Sequence, residues 1–303
     1  LNAIVAETRI DRGDRVALLV NNLGGTAVQE LAIVARRAIR RLEDQGATVE
    51  RARTLNAAGS LAFALGRYPD AEAWLRESEM LARERGDFMT LAQALLAQGV
   101  VAEHLGHEAA AQAFFAAGLA IARKMDHPWL IGQSLPQLSD AAYRRGDLVA
   151  ADAYAQEAHL VLCLTGNAYM EATNLGNLTQ VALARGDLQA AVDAIGAALA
   201  IAVEIDSQWN LANGIGLAAA VGAELRQYDV ATHLLGAAGK VLERSGHPKH
   251  PNWYRFAETQ TAVRDVIGDE AYQAKWDEGW AMTPEEAIAA AQLMLADAGT
   301  VAR

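Results

Sequence analysis

The sequence predicts an all-α protein, a helical solenoid of about five 40-residue helix pairs, with a short N-terminal strand–helix segment and a C-terminal helical cap. Three observations carry this. The string Leu-Gly-Arg-Tyr-Pro-Asp-Ala at 65–71 recurs at 105–111, 145–151, 185–191 and, more loosely, 225–231, always 40 residues on. A fixed period in that range marks stacked repeats, each too small to bury both of its faces alone. Hydrophobic residues make up 52% of the 303, yet aromatics are only 6% and Ala dominates, so the cores must be close-packed small-residue helix contacts. Only six prolines interrupt the chain, which leaves long stretches free to be helical.

The expected organisation is a strand–helix fragment over 1–52, the solenoid over 53–250 and capping helices over 251–303. In the first segment, Arg15–Asn21 is a short continuous apolar run of the kind buried in a sheet. The turn Asn22–Thr26 follows, with Thr26 able to cap a helix over 27–45. That helix carries Leu31, Val34, Ala35, Ala38, Ile39 and Leu42 on one face and charges on the other. Gly46 ends it, and 47–51 reads as the start of a second strand. A lone strand leaves its N–H and C=O groups without partners, and pairing with a second copy in a homodimer is one way to satisfy them. Apart from the Gly24-Gly25 pair there is no glycine-rich phosphate loop.

Gly13–Thr26, continued by Glu30–Arg36, resembles the substrate-binding subunit of dihydroxyacetone kinases up to about residue 52. The resemblance implies one strand–helix unit of that family's second domain. The histidine that holds the ketone in the family has no counterpart, because the first histidine of this chain is His104.

Each repeat reads as helix A, a glycine turn and helix B. In the first unit helix A is expected near 53–65 and helix B near 69–84, with Gly86 and Asp87 as the break. Leu55, Leu95, Leu135, Leu175 and Ile215 align as large residues, Ala62, Ala102, Ala142, Ala182 and Gly222 as small ones. Ala71 recurs unchanged at 111, 151, 191 and 231. Small residues at fixed sites let two helices approach while large ones fill the grooves between them. Small at 59, 71 and 78 with large at 75 resembles the tetratricopeptide pattern, in a long-repeat form.

Binding residues are expected on the A helices, which line the concave side of such a solenoid. Trp129, Tyr169 and Trp209 share one repeat position at the start of helix A, with Met89 before them. They suit either stapling of the inter-unit turn or a ladder for a peptide or small ligand. Gln137, Asn174, Asn177 and Asn213 bring uncharged hydrogen-bonding groups to the same helices, fit for a peptide backbone or a polar effector. The expected partner is therefore a protein, a peptide or a small effector.

In the tail, His247 and His250 stand among Pro248 and Pro251, so no helix presents them together and no metal site is expected. Helices are expected over 255–267, 270–280 and 284–297, with Thr283 as a cap and Trp276 and Trp280 packing on the solenoid end. Leu234–Ala238, then Ala271-Tyr272, Trp276, Glu278-Gly279, Met282-Thr283 and Glu285–Ala287, resemble the C-terminal part of large ATP-binding LuxR-type bacterial regulators. That resemblance covers roughly 53–297 and implies the sensor and interaction module alone, without the ATPase phosphate loop or the helix-turn-helix.

The net charge of −11 argues against sequence-independent nucleic-acid binding, although residues 1–53 carry +2. No apolar run reaches the roughly 18 residues of a membrane span. The single cysteine, Cys163, has no disulfide partner, which favours a reducing cytoplasm. It occupies an apolar helical position and is expected in the core. No spacing assembles a catalytic constellation and none implies a cofactor, so the chain reads as a non-enzymatic binding module, with a kinase-related protein as the alternative. It opens on Leu1 rather than Met, which fits a piece of a longer protein.

Overall fold

The computed structural model describes residues 15–16, 48–49, 51–245 and 254–301. The expected helix over 27–45, the Gly24-Gly25 turn and the His247–His250 loop lie outside the described residues. Arg15–Val16 (β1) and Thr48–Val49 (β2) pair in parallel, Arg15 opposite Thr48 and Val16 opposite Val49. The first strand thus finds its partner at the second one expected from the sequence.

Thirteen α-helices follow among the described residues. Five pairs have the expected form. They are α1 (Arg51–Ala64) with α2 (Tyr68–Arg85), α3 (Phe88–His104) with α4 (Glu108–Lys124), and α5 (Pro128–Arg144) with α6 (Leu148–Thr165). Then come α7 (Ala168–Arg185) with α8 (Leu188–Glu204), and α9 (Gln208–Glu224) with α10 (Tyr228–Ser245). Three cap helices close the chain, α11 (Tyr254–Ile267), α12 (Asp269–Ala281) and α13 (Pro284–Val301). The last runs four residues beyond the expected end. The chain divides into two compact units, 1–126 and 127–303.

The helices end on a 20-residue rhythm. Gly66, Gly86, Gly106, Gly146, Gly166 and Gly186 all have φ between 66° and 77°, where a Cβ is unwelcome. Asp126, Asp206 and Arg226 take the remaining places at φ 49°, 50° and 59°. After the turn, the copies of the opening string at 145–151 and 185–191 supply the next helix's cap. Asp147 accepts from the Ala150 N–H and Asp187 from the Ala190 N–H, both at 3.0 Å. Asp87, Asn167 and Ser207 cap α3, α7 and α9 in the same way.

Inside each pair the alternation of large and small works as expected. Ala71, Ala111, Ala151, Ala191 and Ala231 are wholly buried. In the 127–303 unit α5 packs on α7 and α7 on α9, forming one layer of A helices. Glycines set the spacing of that layer. A Cβ on Gly176 of α7 would come within 3.2 Å of Asn213 Nδ2 on α9. One step further, a Cβ on Gly216 of α9 would meet the Phe256 ring of α11 at 3.3 Å, so α11 continues the A layer.

The remaining cap helices seal the end of the unit. Trp276 and Trp280 stack at 6.3 Å between ring centres and lie against Gly239 of α10, as the sequence predicts. Met294 of α13 reaches Gly222 at the foot of α9, and Ala287, Ala291 and Leu295 are buried beside it. Thr283 and Glu286 exchange hydrogen bonds as a capping box at the start of α13.

Candidate binding face

The A helices of the 127–303 unit carry three parallel stripes at helical spacing. On α5 the stripe is Trp129, Gln133, Gln137, Asp140 and Arg144. On α7 it is Tyr169, Thr173, Asn177 and Gln180, and on α9 it is Trp209, Asn213 and Leu217. An aromatic residue in the first turn heads each one.

Trp129 and Tyr169 are 40% and 45% exposed, which leaves their rings available. Partial burial pushes the Tyr169 hydroxyl up from its ordinary value, so it stays a neutral donor. Trp209 differs. It is half-buried against the core cluster that includes Leu211 and Ile215, the setting that the stapling alternative calls for. The turn below Tyr169 is held by Asn210, whose Nδ2 donates to the Tyr169 carbonyl at 3.2 Å and whose Oδ1 accepts from Thr173 at 3.0 Å.

The expected amide residues separate in the same way. Asn174 is fully buried, and its Nδ2 donates to the Ala155 carbonyl of α6 at 2.9 Å. It is a clamp between helices and presents nothing to a ligand. Asn177 is 7% exposed and donates to the Pro136 carbonyl of α5 at 2.8 Å, tying α7 to α5. Buried polar groups must be paired, and here the nearest acceptors are carbonyls of neighbouring helices. Gln137 and Asn213 remain half-buried at the surface, with Gln133 beside them.

Charges missed by the sequence reading complete the face. Asp140 and Arg144, one helical turn apart, form a 3.2 Å ion pair with side chains only 4% and 7% exposed. Arg255 of α11 donates to the Tyr143 hydroxyl at 2.6 Å, bringing the cap against the end of α5. The Asp140/Arg144 spacing was visible in the sequence, but its burial was not. The Arg255–Tyr143 contact spans 112 residues and left no local signal.

On the B layer, Cys163 is exposed, contrary to its expected core position. Leu162 takes the inward place on α6, which turns Cys163 outward with Leu160 and Leu164, 68% and 86% exposed. Partial desolvation and the adjacent Glu171 carboxylate push the thiol up from its ordinary value. A cavity of about 520 Å³ lies between α6, α7 and α8, crossed by a 2.7 Å ion pair from Arg185 to Asp152. No described helix is long and apolar enough to cross a membrane.

Comparison with solved structures supports the repeat architecture. The chain is similar to a chain of the APC/C hetero-tetramer Cut9–Hcn1, a tetratricopeptide-like repeat assembly, with a TM-score of 0.53. The match covers 83% of this chain and 46% of that one at 14% identity, which shows the fold alone. The fold is tetratricopeptide-like. Over 103 residues the chain is also 31% identical to proteins of Mycobacterium bovis and Mycobacterium tuberculosis that carry the provisional name HTH-type transcriptional regulator. That stretch is 34% of this chain and 12% of the length of those relatives. No protein-family model matches the chain.

Proposed function

We propose that the protein is a non-enzymatic helical-repeat module that docks a peptide segment of a partner protein along the A-helix stripes of the 127–303 unit. The observation that carries the reading is the exposure of Trp129 and Tyr169 on neighbouring A helices, beside the half-buried amides Gln133 and Gln137 of α5 and Asn213 of α9. Rings of this kind supply large contact area at low entropic cost, and flanking amides hydrogen-bond to an extended backbone. The partial likeness to regulator-named proteins supports a place as the sensor or scaffold part of a larger bacterial transcriptional regulator.

The test is binding of a peptide library to the whole chain, read by tryptophan fluorescence and calorimetry. Trp129→Ala with Tyr169→Ala should weaken every hit by at least roughly tenfold, as loss of aromatic anchors does. Asn174→Ala should act through stability alone. Hits that keep their affinity in the double variant overturn the proposed face. A dihydroxyacetone-kinase-related role is the second reading, and it rests on the resemblance of the segment from Gly13 to about residue 52 to that family. Dihydroxyacetone-dependent phosphotransfer by the chain would favour it and sink the binding-module reading.

A further inference from the structure

Three metal-ligating side chains that the binding face does not use meet between α6 and α7. His159 and Cys163 stand four residues apart on α6, one above the other on the same helix face. Glu171 comes from the first turn of α7, just across the Gly166 turn. Cys163 Sγ lies 3.9 Å from both ring nitrogens of His159 and 3.6 Å from Glu171 Oε1. Ligand atoms of all three residues fall within 4.8 Å of one another.

The separations from sulfur, 3.6 and 3.9 Å, come close to those a small tetrahedral ion needs, so small side-chain adjustments would close the site. Metal–sulfur bonds of about 2.3 Å and metal–nitrogen or metal–oxygen bonds of about 2.1 Å put sulfur roughly 3.6 Å from its neighbouring ligand atoms. The set combines one thiolate, one imidazole and one carboxylate, which suits a borderline-soft divalent ion better than magnesium or calcium. Two of the ligands are fixed by one helix and the third by the start of the next, so little chain ordering accompanies binding.

We propose that His159, Cys163 and Glu171 bind a divalent transition-metal ion, zinc in the first instance, with a fourth position for water or an outside ligand. On binding, the Cys163 S–H bond gives way to a metal–sulfur bond and the proton passes to solvent. Cys163 is exposed, and His159 also lines the 520 Å³ cavity between α6, α7 and α8, which leaves room for a fourth ligand beside the imidazole. A cysteine–histidine nucleophile fits the geometry less well. There the carboxylate orients the imidazole, whereas Glu171 accepts from the sulfur itself.

The experiment titrates Zn²⁺, and Co²⁺ as its spectroscopic stand-in, into the full chain. One equivalent should bind, and Co²⁺ should produce a thiolate-to-metal charge-transfer band. Cys163→Ala should abolish that band, while His159→Ala and Glu171→Gln should each weaken Zn²⁺ by at least about tenfold. Unchanged affinity in Cys163→Ala would place the ion elsewhere. Unchanged affinity in both other variants would mean that a lone exposed thiol holds it. Either result overturns the site. In the unaltered protein Zn²⁺ should also slow alkylation of Cys163, and an unaffected rate would count against the proposal without relying on any variant.

Discussion

The ring of Phe115 on α4 fills the space above Gly99 on α3. A Cβ on Gly99 would stand 2.5 Å from Phe115 Cδ1, and Phe115 is wholly buried. Leu75 sits over Gly59 in the same way one repeat earlier, at 2.5 Å from the position of a Cβ. Gly99→Ala should therefore destabilise the protein by about 1–3 kcal/mol through overpacking. It should do so although alanine is the better helix former by roughly 1 kcal/mol. Combining it with Phe115→Leu should recover part of the loss in a denaturant-unfolding cycle. A Gly99→Ala protein as stable as its parent would show that this pair does not limit the approach of α3 and α4.

The turns give a second prediction, free of packing. No atom lies within 4 Å of a Cβ on Gly146, whose φ is 77°. Gly146→Ala should thus lose only the backbone preference, about 1 kcal/mol. Arg226 holds the equivalent place at φ 59° and is exposed. Arg226→Gly should be neutral or stabilising by up to about 1 kcal/mol, relief of strain offsetting the greater freedom of glycine when unfolded. The melting temperature should fall in Gly146→Ala and should not fall in Arg226→Gly. A comparable loss in both would show that the left-handed turn does not decide the outcome.

The repeat was legible because its determinants are local and periodic. Gly66 and Ala71 recur at fixed spacing since every turn and every A–B contact has the same geometry. The face was legible only in part. Helical spacing marks which residues share a stripe, and of these Trp129 and Tyr169 are exposed while Gln137 and Asn213 are half-buried. It did not separate Asn174, which points at a neighbouring carbonyl, because that outcome depends on how close α6 lies to α7. Cys163 was misjudged by one residue of helix phase, a shift of about 100° that exchanges core for solvent. The meeting of Cys163 with Glu171 also needs the Gly166 turn to bring α7 back along α6.

Asp87 links a helix start to acid stability. Burial alone would raise its carboxyl, but hydrogen bonds from the Thr90 side chain and backbone, with the Arg53 charge, outweigh this and hold it below its ordinary value. A lowered native value means the carboxylate stabilises the fold above the unfolded value of about 3.9, and that this contribution fades as pH falls through the native value. Asp87→Ala should cost about 1 kcal/mol near neutrality, the usual worth of such a cap. The difference from the parent should shrink below about pH 4. A gap that persists unchanged down to pH 2 would remove the charge from the explanation.

Where α12 crosses α10, backbone meets backbone at two glycines. A Cβ on Gly279 of α12 would come 2.6 Å from the His233 carbonyl carbon on α10, and one on Gly236 of α10 would come 2.8 Å from the Trp280 nitrogen. No rotamer change can relieve a clash with a main chain, so Gly279→Ala must push α12 away from α10. Tyr272 reports on this directly. It is 1% exposed on α12, and burial, partly countered by the Arg264 guanidinium over its ring, pushes its hydroxyl up to about 12. In the parent Tyr272 should ionise late in an ultraviolet titration, in addition to the raised Tyr169. In Gly279→Ala the Tyr272 titration should move toward the free value of about 10, with faster amide exchange in α12 and none of that change in α1–α4. Adding Gly236→Ala should then cost less than it does alone, because the crossing it obstructs has already opened. Fully additive losses, or a Tyr272 that still ionises late, would mean that α12 stays docked and that the two glycines do not share one crossing.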